Sequence, residues 1–125
     1  MSSTSISLIE AAINGNVALV SQILDQEGAD INQTDEGGRT ALMAAALGGH
    51  ETIVKHLVEM GAEINQQDQD GKTTLMKAAI LGHETIVKHL VEKGADIHLK
   101  RVDGNTAEKL AEKNGHGDIA KYLKF

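Results

Sequence analysis

The stretch "GHETIVKHLVE" occurs twice, from Gly49 to Glu59 and from Gly82 to Glu92, with the second copy 33 residues after the first. The same offset of 33 joins Gly38 to Gly71, Thr40 to Thr73, Leu42 to Leu75 and Gly61 to Gly94. Over the windows 33–65 and 66–98 about two-thirds of positions are identical. Gly104, Thr106, Ala111, Gly115 and His116 carry the period forward. Leu8, Ala11, Ala12 and Gly15 carry it backward with a shift of 34, absorbed by one extra residue near Gln26–Glu27. A period in this range indicates a solenoid, because a unit this short cannot bury its apolar face alone and must stack on its neighbours.

One period contains two short helices. In "TALMAAALG" Thr40 is suited to cap a helix start and the glycines Gly48 and Gly49 to stop it. Leu42, Ala45 and Ala46 recur at i, i+3 and i+4, so they share one face, and alanine there lets neighbouring helices approach closely. Ile53, Val54, Leu57 and Val58 form a similar stripe in the second helix, which Gly61 ends. "AEINQQDQDGKT" then gathers Asn, Asp and Gly as a turn does. The unit expected is helix, turn, helix and an extended hairpin-like loop.

Composition suits such a stack. One Tyr, one Phe and no Trp leave the core to Leu, Ile, Val, Ala and Met, and no Cys is present to form a disulfide or a thiolate metal site. "MSSTSISLIEAAINGN" has neither the basic start nor the apolar run of a signal peptide, and no segment has the length of a membrane span, so a soluble cytoplasmic protein is expected. The net charge of −6 is unevenly spread. Residues 1–71 carry eleven acids and two bases, or −9, and residues 72–125 carry seven acids and ten bases, or +3. The acidic total, with no aromatic residues among the C-terminal lysines to stack bases, argues against a nucleic-acid partner.

These features together resemble the ankyrin-repeat family. Its phrase, roughly D-x-x-G-x-T-P-L-H-x-A-A-x-x-G-H followed by a second helix and G-A-D-x-N, stands here as "DEGGRTALMAAALGGH…GAEIN" and "DQDGKTTLMKAAILGHE…GADIH". The resemblance covers residues 7–125 and implies an all-α solenoid of stacked helix-turn-helix units joined by β-hairpin-like loops. It divides into an N-terminal capping unit (1–32), two full repeats (33–65 and 66–98) and a C-terminal capping unit (99–125). Two departures stand out. Ala41, Thr74 and Ala107 replace the family's proline, which should ease fraying of the first helices. Met43 and Met76 replace its histidine, which should remove a polar tie and add flexible apolar surface.

The histidines invite a metal or catalytic reading, which their spacing rejects. A zinc-protease helix needs two His at i and i+4, whereas His50 and His56 are six residues apart, as are His83 and His89. That spacing sets them about 120° apart around a helix. Across repeats, stacked helices run roughly 10 Å apart, too far for metal–nitrogen bonds of about 2 Å. His50, His83 and His116 are expected to hydrogen-bond locally at helix starts, and His56 and His89 to line the seam between repeats. "DEGG" and "DQDG" lack the spacing and terminal Glu of a calcium loop. Asp35, Asp68, Asp70 and Asp103 are expected to shape the turns instead. No enzyme activity, metal or cofactor is expected.

The resemblance implies protein–protein recognition through the hairpin tips and the exposed side of the first helices. Tip positions in this chain include Glu36, Arg39, Gln69, Asp70, Lys72 and Val102. Groove positions are Leu47, Ile80 and Lys113, in register with Ile13, with Met43, Met76 and Leu81 nearby. The expected partner is another protein, bound by a monomer acting as a stand-alone regulator or inhibitor. The alternative is a self-associating scaffold, its acidic N-terminal end drawn to the basic C-terminal end of the next copy.

Overall fold

The computed structural model describes residues 7–124. Residues 1–6, part of the first expected unit and of the stretch read above as lacking a leader, and Phe125 lie outside the described residues. The described chain forms eight helices and no strands: α1 Leu8–Ile13, α2 Val17–Leu24, α3 Ala41–Leu47, α4 Glu51–Glu59, α5 Thr74–Leu81, α6 Glu84–Glu92, α7 Ala107–Lys113 and α8 Gly117–Tyr122. None of these helices is long and apolar enough to cross a membrane.

Each first helix begins at a hydroxyl. The Thr40 and Thr73 side chains accept from the N–H of Met43 and Met76, both at 3.2 Å, and Thr106 accepts from Lys109 at 3.4 Å. Ser7 does the same for Glu10, whose carboxylate accepts in return from the Ser7 N–H. The odd-numbered helices stack in chain order as an inner row, held close by fully buried alanines: Ala11 and Ala12, Ala45 and Ala46, Ala78 and Ala79, Ala111. The repeated phrase forms α4 and α6 in the outer row. Its apolar letters, Ile53, Val54 and Leu57 and then Ile86, Val87 and Leu90, are buried against the inner row. Lys88 of α6 lies 5.6 Å from the centre of the Tyr122 ring in α8, an attraction that joins the last two outer helices.

Three kinds of hydrogen bond fix the register between units. Asn32 accepts from the Glu63 N–H and Asn65 from the Asp96 N–H, both at 2.8 Å. The loops pair edge to edge, with Gln69 N–H donating to the Gly37 carbonyl at 2.9 Å and Val102 N–H to Asp70 at 3.2 Å. The third kind corrects the expectation of local histidine bonds. His50, His83 and His116 precede the outer helices but cap none of them. Their rings turn to the preceding unit, where Nε2 meets the carbonyls of Ile13, Leu47 and Ile80 at 3.2, 3.2 and 3.0 Å. A carbonyl only accepts, so Nε2 carries the proton. These carbonyls lie at helix C-termini, where no N–H of the same helix is left to bond them.

The histidines need glycine beneath them. A Cβ on Gly82 would lie 2.6 Å from the His116 ring, and one on Gly49 would lie 3.0 Å from the His83 ring. Both glycines also adopt positive φ, 77° and 73°. The Gly-His pair in the repeated phrase therefore works between units: the glycine of one makes room for the histidine of the next.

The two roles of Gly82 can be separated with Gly94, which has φ 102° but open space around its missing Cβ. In urea denaturation, Gly82→Ala is expected to cost about 1 kcal/mol more than Gly94→Ala, with backbone strain of about 1–2 kcal/mol common to both. The excess should vanish in a double-mutant cycle with His116→Ala. A pH effect is also built into the outer row. Burial lowers the His89 pKa, with Lys55 and Lys93 adding to the effect against Glu92 and Glu59, and its buried Nε2 has no hydrogen-bond partner. A depressed histidine pKa gives the unfolded chain the greater proton affinity. Stability is therefore complete above the ordinary value of 6.5 and falls as pH drops through it. Urea midpoints should decline on the acid side of that value, and His89→Gln should flatten the decline.

Candidate functional site

The loops and the inner row enclose one side of the stack. Asp35 shapes the first loop, its Oδ1 accepting from the Gly37 and Arg39 N–H groups at 2.9 Å each. Asp68 does the same for Asp70 and Lys72, and Asp103 for Asn105 at 3.1 Å. No side-chain bond of this kind comes from Asp70, whose backbone carbonyl receives Val102 instead. The Arg39 N–H holds the Asp35 carboxyl below its usual range despite some burial, and the guanidinium of Arg39 adds a 3.0 Å ion pair.

A cleft of about 330 Å³ opens along this side between α1 and α3. Ile9, Ile13, Met43, Ala44, Leu47 and Gly48 make its apolar wall, and Asp35, Arg39 and Lys77 stand at its edge. Two small residues of this lining, Ala44 and Gly48, stand where the next unit has Lys77 and Leu81.

The structure sorts the expected contact residues. Leu47 and Leu81 end their helices at 43 % and 45 % exposure, level with Ile13 at 56 %. Glu36, Arg39, Gln69, Asp70, Val102 and Lys113 are exposed, and Lys72 and Ile80 are partly buried. Gln69 also serves the fold, since its side-chain amide donates to the Glu36 carbonyl across the loops. Met43 and Met76 are corrections. Each is 1 % exposed, so neither adds surface for a partner. Each sits third after its threonine cap, and the Met76 sulfur accepts from the Thr73 N–H at 3.4 Å. The polar tie expected to be lost at this position is retained there in weak form.

Lys77 was not among the expected residues. Its side chain is 6 % exposed and Nζ lies 2.9 Å from Asp68 Oδ2, itself on a side chain 5 % exposed. Burial pushes the Asp68 pKa up, but the hydrogen bond from Lys77, the Lys72 N–H and the lysine charge outweigh it, and the net shift is down. The pair anchors the second loop to α5 and so fixes the far edge of the cleft. A sequence signal existed: Lys77 interrupts a helical position that holds Ala44 and Leu110 in the adjoining units. Among the described residues, no group of three or more His, Asp or Glu side chains converges as a metal site requires.

A family model described as ankyrin repeats, in three copies, matches residues 8–101 and again 61–124. The chain is also similar to cortactin-binding protein 2 of Echinops telfairi, Ovis aries and Mus musculus. Each is 47 % identical over 51 residues, which make up 41 % of this chain and 3 % of the relative. The similarity thus spans a small fraction of those proteins' length.

The Lys77–Asp68 pair is satisfied only as a pair. Lys77→Met alone leaves a buried carboxylate without its cation and is expected to cost about 3 kcal/mol in urea denaturation. Adding Asp68→Asn to Lys77→Met should recover a substantial part of that loss, whereas a purely apolar role for the lysine stem would make the two changes simply additive.

Proposed function

The chain belongs to the ankyrin-repeat family, a family of protein–protein interaction modules, and we propose that it binds another protein through the concave side formed by the loop tips and inner helices. One observation carries this reading: exposed Ile13 and Leu47 end successive inner helices at one position of the repeat and line the apolar cleft, and exposed Leu81, one position further on, ends the next inner helix. Apolar surface gathered in this way marks an interface, whereas single exposed apolar residues do not. Val17 and Met60, exposed at the start of α2 and after the end of α4, are of the second kind.

The mechanism is surface complementarity without chemistry. The stack holds the binding face in shape before the partner arrives, so little ordering cost falls on binding. The loop tips Glu36, Arg39, Gln69, Asp70, Lys72 and Val102 form the rim, where charge tunes association rate and selectivity. Monomeric action as a regulator or inhibitor in the cytoplasm belongs to this reading. Relatives named for binding a protein support a protein partner in general.

A pull-down from cell extract compares the native chain with Leu47→Asp/Leu81→Asp, whose side chains are exposed enough to change without unfolding the stack, as circular dichroism would verify. Capture of the partner should fall at least about tenfold, a loss of about 1.4 kcal/mol. Lys55→Glu on the outer row should leave capture intact. Unchanged capture by the groove variant, or loss only with Lys55→Glu, would move the binding face to the convex side.

A further inference from the structure

The inner face changes character along the stack at two positions of the repeat. The first position is Ile9 in α1, Met43 in α3, Met76 in α5 and Lys109 in α7. The second, four residues on and therefore on the same helical face, is Ile13, Leu47, Ile80 and Lys113. At the first position the three apolar side chains are buried and only Lys109 is exposed; at the second, Ile13 and Leu47 are exposed, Ile80 is partly buried, and the fourth unit again presents a cation, Lys113. Lys109 and Lys113 are exposed, and neither is in an ion pair among the described residues. The Asp103 carboxyl is held low first by the Asn105 N–H and, among nearby charges, by Arg101 and Lys113. Lys113 is thus near the last loop, on the groove side of α7.

We infer that the groove takes a polypeptide segment of apolar-then-acidic character, its apolar side chains in the cleft beside Leu47 and one or more carboxylates against Lys109 and Lys113. The inference rests on the groove reading above and adds the chemistry of the occupant. Charge complementarity gives its direction. Both cations that line the cleft are already paired, Arg39 with Asp35 and Lys77 with Asp68. The α7 end offers Lys109 and Lys113. A nucleic acid could answer the lysines but not the apolar wall, which has no aromatic side chain on which a base could stack.

A random-peptide library displayed on phage, selected on the immobilised chain, tests this. Enriched peptides are resynthesised with a fluorophore and titrated by anisotropy. They should carry an apolar cluster with Asp or Glu to one side of it, and bind at least about tenfold more weakly to Lys109→Glu/Lys113→Glu. Exchanging their acids for lysine should restore binding to that variant. Leu47→Asp/Leu81→Asp should abolish binding of either peptide. Peptides that require the leucines yet show no acid preference and ignore the charge reversal would overturn the inference and leave the groove reading standing. Peptides indifferent to the leucine changes would overturn both. A library that yields no binder would overturn the claim that a linear segment is the occupant.

Discussion

Everything in this molecule depends on each imidazole seated over a glycine of the unit before it. His50, His83 and His116 reach the carbonyls of Ile13, Leu47 and Ile80, which their own helices leave unbonded. The bond helps to set the spacing and rotation of one helix pair on the next. The loop pairing and the asparagine ties from Asn32 and Asn65 repeat that register on the other side of the unit. Units fixed in this way bury alanine against alanine along the inner row, and the remaining apolar letters close the gap between rows. The repeated phrase is thus stacking information.

Once the stack is fixed, function can be written only where stacking does not constrain the letter. Ala44 and Gly48 line the cleft beside α3, at positions where the next unit carries the larger Lys77 and Leu81. Lys77 would be a costly choice for stability alone, since desolvating two charges offsets much of their attraction. Its effect is geometric: it holds the second loop to α5 and gives the groove a defined edge. Lys109 and Lys113 then turn an apolar face into a cationic one at the last unit.

Much of this was legible in the sequence because local chemistry announces itself. Threonine caps, turn-forming aspartates and glycines in register located the helices and loops, and the alanine stripes located the inner row. What could not be read had its cause in another unit. The histidine bonds read as local in the sequence because a backbone carbonyl carries no residue-type signature. The helical position of Met43 and Met76, near the groove, points to the surface. Both side chains are instead buried in the stack. Lys77 was visible as a charge within an apolar register, but its partner Asp68 lies nine residues back across a loop.

The central claim is that repeated letters build the stack and the departing letters on the concave side bind. A single-substitution scan read twice, once for folded protein and once for partner capture, tests it most directly. Substitutions that spare folding but lose capture should gather at Ile13, Leu47, Leu81, Lys109, Lys113 and the loop tips. Changes to the glycines and histidines of the repeated phrase should lose folding first. Capture-specific losses gathered instead on the exposed side of α4 and α6 would overturn this division.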